Sequence, residues 1–447
     1  MSLADRDRAV VWHPFTQAAT ADPPLAVVSA AGSWLQLADG TRVFDAISSW
    51  WTCLIGHSHP RLVAAIADQA ARLDHVLFAG CTHPGAVELA EKLIERAPLG
   101  LARVFYSDDG STAVEVALKM AVQFHAQNGQ PQRTRFLALE SGYHGDTFGA
   151  MSVGDPADFA GPFAPLLWPV TRVAVPTVDG DPLAADIDLA PALAALDRQL
   201  LACGEALAAV IVEPLVQGAG GMRLYPPAFL AALAARVRAH GGLVIADEVM
   251  TGFGRTGRLF ACEHGDLSPD LLCLAKGLTG GTLPLAATLA TEEIYTVFLG
   301  KDARSALLHG HSFTANPIAC AAALASMRVA DDEQLVDKAR ALHALYAGIL
   351  PPLRALPGVQ SVRWLGGIGV LELAGGGYHD AEKSRKIRDL CLRQGVLIRP
   401  LGPVIYTLPP LGSVLADVRR AWQVIADAVT ATAQSGTIVA PDVENSP

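Results

Sequence analysis

Three short apolar segments constrain the fold of this chain more strongly than any other part of it. Residues 209–212, 243–246 and 271–274 consist only of Ala, Val, Ile, Leu and Cys. Short runs that are apolar on both faces are typical of strands buried in a parallel sheet. Between the first two runs, residues 227–240 have a helical pattern that ends at Gly241-Gly242. Strand, helix and strand in this order predict an open α/β sheet.

The pattern along the chain predicts a large domain and a smaller one. Apolar runs alternate with amphipathic helical stretches over residues 61–328, which we expect to form a large domain around a mainly parallel sheet. Residues 1–60 resemble short strands and turns, with a hairpin around Asp39-Gly40. Residues 329–434 contain a long helix, short strands at 369–373, 396–399 and 404–408, and a last helix. We expect these two parts to form one smaller α+β domain, and residues 435–447 to form a tail.

Composition excludes several classes of protein. The 447 residues are 51% apolar and 17% charged, which excludes intrinsic disorder. The net charge of −10 argues against nucleic-acid binding, because no basic excess is available for phosphates. The seven scattered cysteines form no C-x-x-C pair, so neither a disulfide framework nor a zinc site is expected. The charged N-terminus argues against a signal peptide, and the lack of a long apolar segment argues against a membrane span. We therefore expect a cytoplasmic enzyme.

Polar residues follow each of the three apolar runs. The runs are followed by Glu213, by Asp247-Glu248 and, after Ala275, by Lys276. Ligands of open α/β sheets bind beyond the carboxyl ends of the strands. Desolvation there makes a lysine nucleophilic towards carbonyl carbon, although a strand-end lysine can also simply reach solvent. Lys276 and Asp247 together match what a pyridoxal phosphate (PLP) enzyme requires, which is a lysine for the imine and an acid for the pyridine nitrogen.

Two further segments suit the same cofactor. Asp109-Gly110-Ser111 precedes a strongly helical stretch, and the free amides of a helix start bind phosphate, although an ordinary capped helix has the same pattern. Tyr143 lies in the glycine-rich segment 142–145, where its ring suits stacking on a pyridine. A buried core tyrosine is the alternative interpretation.

These residues resemble the class III, fold-type I PLP aminotransferases over nearly the whole chain. The Asp-Glu-Val motif at 247–249 and Lys-Gly at 276–277 are shared by that class as a whole. The tryptophan pair in 48–51 and the Arg-Pro segment at 399–400 resemble more narrowly the biotin-pathway branch, which aminates 7-keto-8-aminopelargonate (8-amino-7-oxononanoate) to 7,8-diaminononanoate. The remaining matching segments are 11–17, 143–153, 252–257 and 409–410.

The resemblance implies a role for each cofactor residue. Lys276 forms the imine and then moves the proton between the substrate carbon and the cofactor. Asp247 pairs with the pyridine nitrogen, and Tyr143 stacks on the ring. Gly110 and Ser111 hold the phosphate.

The resemblance also implies a homodimer with shared active sites. Ser312 of the partner subunit supplies a further phosphate hydroxyl, and Gly310 of the partner subunit borders the substrate. Arg399 binds the substrate carboxylate, for which its planar fork is suited. Trp50 covers the apolar chain of the substrate, with Phe15, Tyr143 and Lys276 also in the substrate pocket. Trp51 is either a further wall or a core residue.

The amino donor remains open between two candidates. Phe15 stands where enzymes that use S-adenosylmethionine typically have tyrosine, and the segment 309–312 (His-Gly-His-Ser) replaces a Gly-Pro-Thr sequence. Relatives with Phe and a Gly-His-Ser loop include lysine users, whereas the paired tryptophans favour S-adenosylmethionine. We expect S-adenosylmethionine, with lysine as the alternative. Another class III aminotransferase, of the diamine, ornithine or 4-aminobutyrate type, or an aminomutase, is the second alternative.

Two other enzyme classes have some support in the sequence. Residues 252–257 match G-x-G-x-x-G, but no clear helix follows, so a nicotinamide oxidoreductase is a remote alternative. The two His-x-His segments and the adjacent Asp pair resemble metal ligands. The histidine pairs lack helical spacing, and we expect no carboxylate partners near them, so no metal site is predicted. These candidate ligands are His57, His59, His309, His311, Asp108 and Asp109.

Overall fold

A computed structural model describes residues 1–155, 161–378 and 382–435. Of the tail expected at residues 435–447, Ser435 is the last residue of the C-terminal helix, and residues 436–447 lie outside the described residues. None of the helices in the described ranges is long and apolar enough to cross a membrane. The helices are α1 (Leu3–Val10), α2 (Ser48–Trp51), α3 (Pro60–Ala70), α4 (Pro84–Arg96), α5 (Gly110–Gln127), α6 (Phe148–Val153), α7 (Ala190–Cys203), α8 (Pro227–Ala239), α9 (Glu292–Val297), α10 (Pro317–Asp332), α11 (Leu335–Ile349), α12 (Glu382–Arg393) and α13 (Leu415–Ser435).

The strands form one large sheet and three small ones. They are β1 (Val27–Ala31), β2 (Trp34–Leu37), β3 (Arg42–Asp45), β4 (Leu101–Ser107), β5 (Arg135–Leu139), β6 (Thr171–Val173), β7 (Leu207–Val212), β8 (Val216–Gln217), β9 (Arg223–Leu224), β10 (Leu243–Asp247), β11 (Leu271–Leu274), β12 (Ala286–Thr291), β13 (Val359–Leu365), β14 (Ile368–Leu373), β15 (Val396–Leu397) and β16 (Val404–Thr407).

The large sheet has the order β4-β12-β11-β10-β7-β5-β6. The three apolar runs predicted as buried parallel strands lie in the neighbouring strands β7, β10 and β11, which pair in parallel, so this prediction is confirmed. The predicted helix 227–240 is α8. Strand β12 runs antiparallel to both of its neighbours in this sheet, β11 and β4. The short link at residues 275–285 contains no helix, and parallel strands need a longer crossover.

Helices cover both faces of the large sheet. Alternate residues of the strands point to opposite faces, so Ile211 and Ile245 pack in the core with α5, whereas Val210 and Val244 pack in the core with α8. This arrangement is the α/β fold expected from the sequence. It brings the first turn of α5 close to the carboxyl ends of β7, β10 and β11.

The small sheets combine both ends of the chain. A four-stranded sheet has the order β1-β2-β3-β15, and Phe44 of β3 pairs in parallel with Val396 of β15. The predicted hairpin around Asp39-Gly40 joins β2 to β3, where Thr41 N–H donates to the Asp39 carboxylate at 2.8 Å. Strands β13, β14 and β16 form a three-stranded sheet. The domain boundaries remain predictions, and α10 runs across the one placed at residue 328.

Two local predictions were wrong. Residues 1–60 were expected to contain only strands and turns, but α1 begins with a capping box in which Ser2 Oγ accepts from Asp5 N–H and the Asp5 carboxylate accepts from Ser2 N–H. No residue of α1 is buried, so the helix lacks the apolar stripe that would have indicated it. The strand expected at 396–399 ends at Leu397, which leaves Arg399 beyond the sheet.

Candidate active site

A cavity of about 340 Å³ lies where β7, β10 and β11 end and α5 begins. Its volume is in the range of small-molecule and cofactor sites. It contains most of the predicted cofactor residues, together with several that the sequence did not single out. The lining residues are Trp51, Asp109, Gly110, Ser111, Tyr143, His144, Gly145, Glu213, Val216, Asp247, Val249, Met250, Thr251 and Lys276.

Lys276 follows β11 and places its amine in this cavity. Burial lowers the pKa of Lys276, while the negative charges of Asp247 and Glu213 act in the opposite direction. Its Nζ lies 5.4 Å from the centre of the Trp51 ring. The lysine therefore lies near an aromatic wall and two carboxyl groups, where burial favours the neutral, nucleophilic form of its amine.

Asp247 is the last residue of β10 and is only 5% exposed. Its Oδ2 lies 2.7 Å from His144 Nδ1, and its Oδ1 accepts from Val249 N–H at 3.0 Å. Because a carboxylate can only accept, His144 Nδ1 is the donor. The buried Nε2 atom of His144 has no hydrogen-bond partner among the described residues. The pair fixes the carboxylate in the depth of the cavity.

Glu213 follows β7 and joins two loops of the site. Its Oε1 accepts from Tyr143 N–H and its Oε2 from Gly218 N–H, each at 2.8 Å. Burial raises the pKa of Glu213 to about 7, and the nearby charge of Asp247 adds to the effect. The carboxyl group therefore holds the backbone of the Tyr143 loop against the strand end. Burial also raises the pKa of the Tyr143 phenol, so that it stays protonated.

The start of α5 forms a cradle for an anion. The Asp109 carboxylate caps the helix by accepting from Thr112 N–H at 3.0 Å, so this cap leaves the amides of Gly110 and Ser111 to the cavity. Ser111 Oγ accepts from Asp146 N–H at 3.0 Å and keeps its own hydrogen for donation. Gly145 has φ of 128°, and a Cβ there would lie 1.8 Å from Ser111 Oγ. The two loops approach so closely that only glycine fits.

These residues fit PLP. Backbone amides and a hydroxyl stand at one end of the cavity, a buried carboxylate stands in its depth, and a desolvated lysine amine lies between aromatic and acidic neighbours. The cofactor requires these three elements for its phosphate, its ring nitrogen and its carbonyl carbon. Five predicted cofactor residues lie together here: Lys276, Asp247, Tyr143, Gly110 and Ser111.

Three predicted substrate residues form a stack outside the cavity lining. The guanidinium carbon of Arg399 lies 4.6 Å from the centre of the Trp50 ring. The edge of the same ring meets Phe15, with 5.7 Å between ring centres. The neighbouring Trp51 lines the cavity and donates from Nε1 to Tyr406 Oη at 3.0 Å. Both interpretations of Trp51 apply, because the residue is 4% exposed within the hydrophobic core and also lines the cavity.

Gly310 and Ser312 lie apart from the cavity of their own chain, and both are exposed. A chain of contacts nevertheless connects their loop to the start of α5. Asp108 Oδ2 lies 3.0 Å from His311 Nδ1, and the Nε2 atoms of His309 and His311 lie 3.1 Å apart. The structure does not bring Gly310 or Ser312 to the site within one chain.

The alternatives raised by the sequence gain no support from the geometry. Residues 252–257 run through turns and are followed by a 3₁₀ helix (Ala261–Gly265), not by the α-helix of a dinucleotide site. The expectation that the histidine pairs lack carboxylate partners was wrong. The Asp45 carboxylate lies within hydrogen-bond distance of the His57 imidazole. In the same way, Glu333 contacts His59, and Asp108 contacts His311. No group of three potential metal ligands occurs within the described ranges.

Comparison with known proteins identifies the family. The family "Aminotransferase class-III" matches residues 16–429. The chain is 50% identical to the adenosylmethionine-8-amino-7-oxononanoate aminotransferase of Synechococcus elongatus, over 93% of this chain and 97% of that protein. It is 40% identical to the protein of the same name from Corynebacterium glutamicum, over 92% and 94% of the two chains.

Solved structures agree with these relatives. The adenosylmethionine-8-amino-7-oxononanoate aminotransferase of Methanocaldococcus jannaschii superimposes with a TM-score of 0.89 at 35% identity, over 97% of this chain and 98% of that one. A PLP-bound amine transaminase from an uncultivated Pseudomonas species gives a TM-score of 0.86 at 34% identity, over 95% and 98%. The fold is thus the fold-type I architecture, and the chain belongs to the class III family of PLP-dependent aminotransferases.

Proposed function

We propose that this enzyme transfers an amino group to 8-amino-7-oxononanoate, which gives 7,8-diaminononanoate in biotin biosynthesis, with S-adenosylmethionine as donor. The observation that carries the proposal is the stack of Arg399, Trp50 and Phe15 beside the cofactor cavity. A cation next to aromatic surface suits a substrate with a carboxylate at the end of an apolar chain. The relatives at 40–50% identity bear the name of this reaction.

We propose that each of these cavity residues has a distinct role in holding the cofactor or in the reaction. When bound, PLP supplies an electron-poor ring that takes up the electrons released at the substrate carbon. Lys276 would bind the cofactor through its amine and would carry the proton at the reacting carbon. Asp247 would hold a proton at the ring nitrogen, and Tyr143 would pack on the ring. Gly110 and Ser111 bind the phosphate through their amides and the Ser111 hydroxyl.

Substrate binding involves the residues outside the cavity lining. Arg399 binds the carboxylate with its planar fork, and Trp50 and Phe15 cover the apolar chain. Tyr143 and Lys276 border the reacting carbon. Trp51, which contacts the lysine, excludes water from the same region.

A homodimer completes the site in this proposal. Gly310 and Ser312 are exposed in one chain and are flanked by the exposed apolar side chains Leu308 and Phe313. Apolar side chains grouped in this way are typical of a surface that another chain covers. A second copy would then bring Gly310 and Ser312 of the partner subunit to the phosphate and the substrate. The seven cysteines are unpaired, which supports a cytoplasmic location.

The donor is tested directly by one experiment. Purified enzyme loaded with PLP is offered 8-amino-7-oxononanoate with S-adenosylmethionine, with lysine, or with neither, and 7,8-diaminononanoate is quantified by mass spectrometry. We expect product with S-adenosylmethionine. Product with lysine alone would assign lysine as donor, which Phe15 and the loop at 309–312 favour. No diamine with any donor, combined with turnover of ornithine or 4-aminobutyrate, would overturn the assignment and identify a different class III aminotransferase.

A further inference from the structure

A buried cluster with a cysteine, a histidine and an aspartate lies next to the tryptophan segment. Cys53 Sγ is 3.4 Å from His57 Nδ1, and His57 Nε2 is 2.8 Å from Asp45 Oδ2. Asp45 is fully buried, Cys53 is 7% exposed, and the His57 side chain is 13% exposed. The imidazole therefore stands between the thiol and the carboxylate and is the member of the cluster nearest to solvent.

The imidazole of His57 is placed to donate a hydrogen bond to the Cys53 sulfur. The buried Asp45 carboxylate and the contact with Cys53 raise the pKa of His57 to about 10, so the ring carries a hydrogen on both nitrogens at neutral pH. Nδ1 is then a donor, and the Cys53 sulfur has to accept. Arg255 is 1% exposed, and its Nε and Nη2 atoms have no hydrogen-bond partner among the described residues. Burial lowers the pKa of Arg255 to about 10, while the charge of Asp45 acts in the opposite direction, so Arg255 is a second cation near this cluster at neutral pH.

We propose that Cys53 is a peroxide-reactive modification site, activated by His57 and Asp45, whose oxidation displaces the neighbouring tryptophan segment Ser48–Trp51. The sulfur, in its thiolate form, attacks one oxygen of hydrogen peroxide, so that an S–O bond forms and the O–O bond breaks. The departing hydroxide takes the proton from His57 Nδ1 and leaves as water. The sulfur is oxidised by two electrons to a sulfenic acid and the peroxide is reduced by two.

The cluster is connected mechanically to the cofactor cavity. Ser49 Oγ donates to Asp45 Oδ2 at 2.8 Å, the same oxygen that His57 contacts. The four residues of the segment all have positive φ, at 50°, 44°, 69° and 73°, a conformation that persists only where the surroundings hold it. An added oxygen on Cys53 moves the His57 ring, and through Asp45 and Ser49 it disturbs a segment whose Trp51 lines the cavity.

The test compares the cysteines of the PLP-loaded enzyme. Protein is treated with limiting hydrogen peroxide, sulfenic acid is trapped with dimedone, and each cysteine is quantified by peptide mass spectrometry. Cys81 is exposed and serves as the internal reference. In the wild-type enzyme we expect dimedone to label Cys53 at least about ten-fold faster than Cys81. In His57→Gln, the labelling rate of Cys53 should fall to that of Cys81 or below. Labelling of Cys81 at an equal or higher rate overturns the proposal.

A further measurement does not depend on the folding of the His57 variant. Cys53→Ala should keep aminotransferase activity and become resistant to peroxide. If this variant is inactivated as fast as wild type, Cys53 oxidation does not control the site.

Discussion

His144 and Asp247 form a buried pair in which the imidazole Nδ1 lies 2.7 Å from the carboxylate Oδ2. The two residues are 103 positions apart in sequence, and His144 contacts the acid from the side of the Tyr143 loop. The hydrogen bond from His144 orients the Asp247 carboxylate in the cavity. In the proposed mechanism, a proton at the cofactor nitrogen would be retained by these two residues together and not by Asp247 alone.

The first prediction concerns this pair. His144→Ala removes the donor and leaves a buried carboxylate with one contact fewer, so we expect PLP affinity to fall about ten- to hundred-fold. The pH dependence of the bound-cofactor absorbance should shift as well. His125→Ala is the control, because His125 is buried and hydrogen-bonded to Ala208 O at 2.8 Å but does not line the cavity. Equal loss of cofactor affinity in both variants would show a general effect of removing a buried imidazole.

The second prediction concerns Lys276. Lys276→Ala should lower turnover by at least about a thousand-fold, because both the amine nucleophile and the proton carrier are lost. The visible absorption of the lysine-linked cofactor should disappear while the fold is preserved. Lys301→Ala, at an exposed position, should leave both measurements unchanged. Retained absorption in the Lys276 variant would contradict the assignment of this lysine.

The third prediction separates backbone strain from close contact. Gly145→Ala places a Cβ 1.8 Å from Ser111 Oγ at φ of 128°, whereas Gly129→Ala has φ of 75° and no atom within 4 Å. We expect Gly129→Ala to cost about 1 kcal/mol of unfolding free energy, and Gly145→Ala to cost about 1–3 kcal/mol more and to weaken PLP binding. Urea denaturation and cofactor titration measure the two effects. Equal costs would show that the Gly145 loop moves away freely.

The fourth prediction concerns Arg399. Arg399→Ala should raise the KM for the keto acid about ten- to hundred-fold with a smaller effect on the KM for the donor, since the bidentate contact to the carboxylate is lost. Arg42→Ala removes a comparable stack on Trp34, at 5.2 Å and far from the cavity lining, and should leave both constants unchanged. An unchanged KM for the keto acid in the Arg399 variant would refute its carboxylate role.

The fifth prediction concerns pH. Burial lowers the pKa of His264 from 6.5 to about 4, so the folded protein binds its proton less readily than the unfolded chain. Stability from this group is complete above pH 6.5 and is lost as the pH falls towards 4. Urea midpoints at pH 7.5 and pH 5 should therefore differ less in His264→Gln than in wild type. The same difference in both proteins would show that another group causes the acid sensitivity.

The carboxyl ends of the central strands could be predicted from the sequence because a buried parallel strand has a local pattern, a short run of apolar residues. The runs that contain Ile211 and Ile245 are apolar on both faces, and parallel strands bring their following residues to one edge. Asp247 and Lys276 were found on this basis, and the comparisons bear out the class of enzyme that they indicated. The start of α5, which we propose as the phosphate site, also had a local signal, since Asp109-Gly110-Ser111 precedes a strongly helical stretch.

Residues whose roles depend on tertiary contacts could not be predicted. His144 was visible only as the neighbour of Tyr143, and nothing local indicates that it faces Asp247. The orientation of Trp50 and Trp51 depends on positive φ values at four successive residues, 48–51. Positive φ is uncommon for residues other than glycine, and no simple sequence pattern predicts it there. The position of Glu213 directly after β7 indicated that it borders the site. Its two backbone partners could not be predicted, because they lie on separate loops.

The pairing of β3 with β15 has a consequence for synthesis on the ribosome. Phe44 cannot meet Val396 until nearly the whole chain has been translated, which takes roughly 20 to 70 s longer than the synthesis of β3 itself. During that interval β3 presents an unpaired edge to other nascent chains and to chaperones. The strands of the large sheet, β4 to β7 and β10 to β12, all emerge before β15. A chain truncated before residue 396 would therefore keep the edge of β3 open, with the tryptophan segment next to it unsupported.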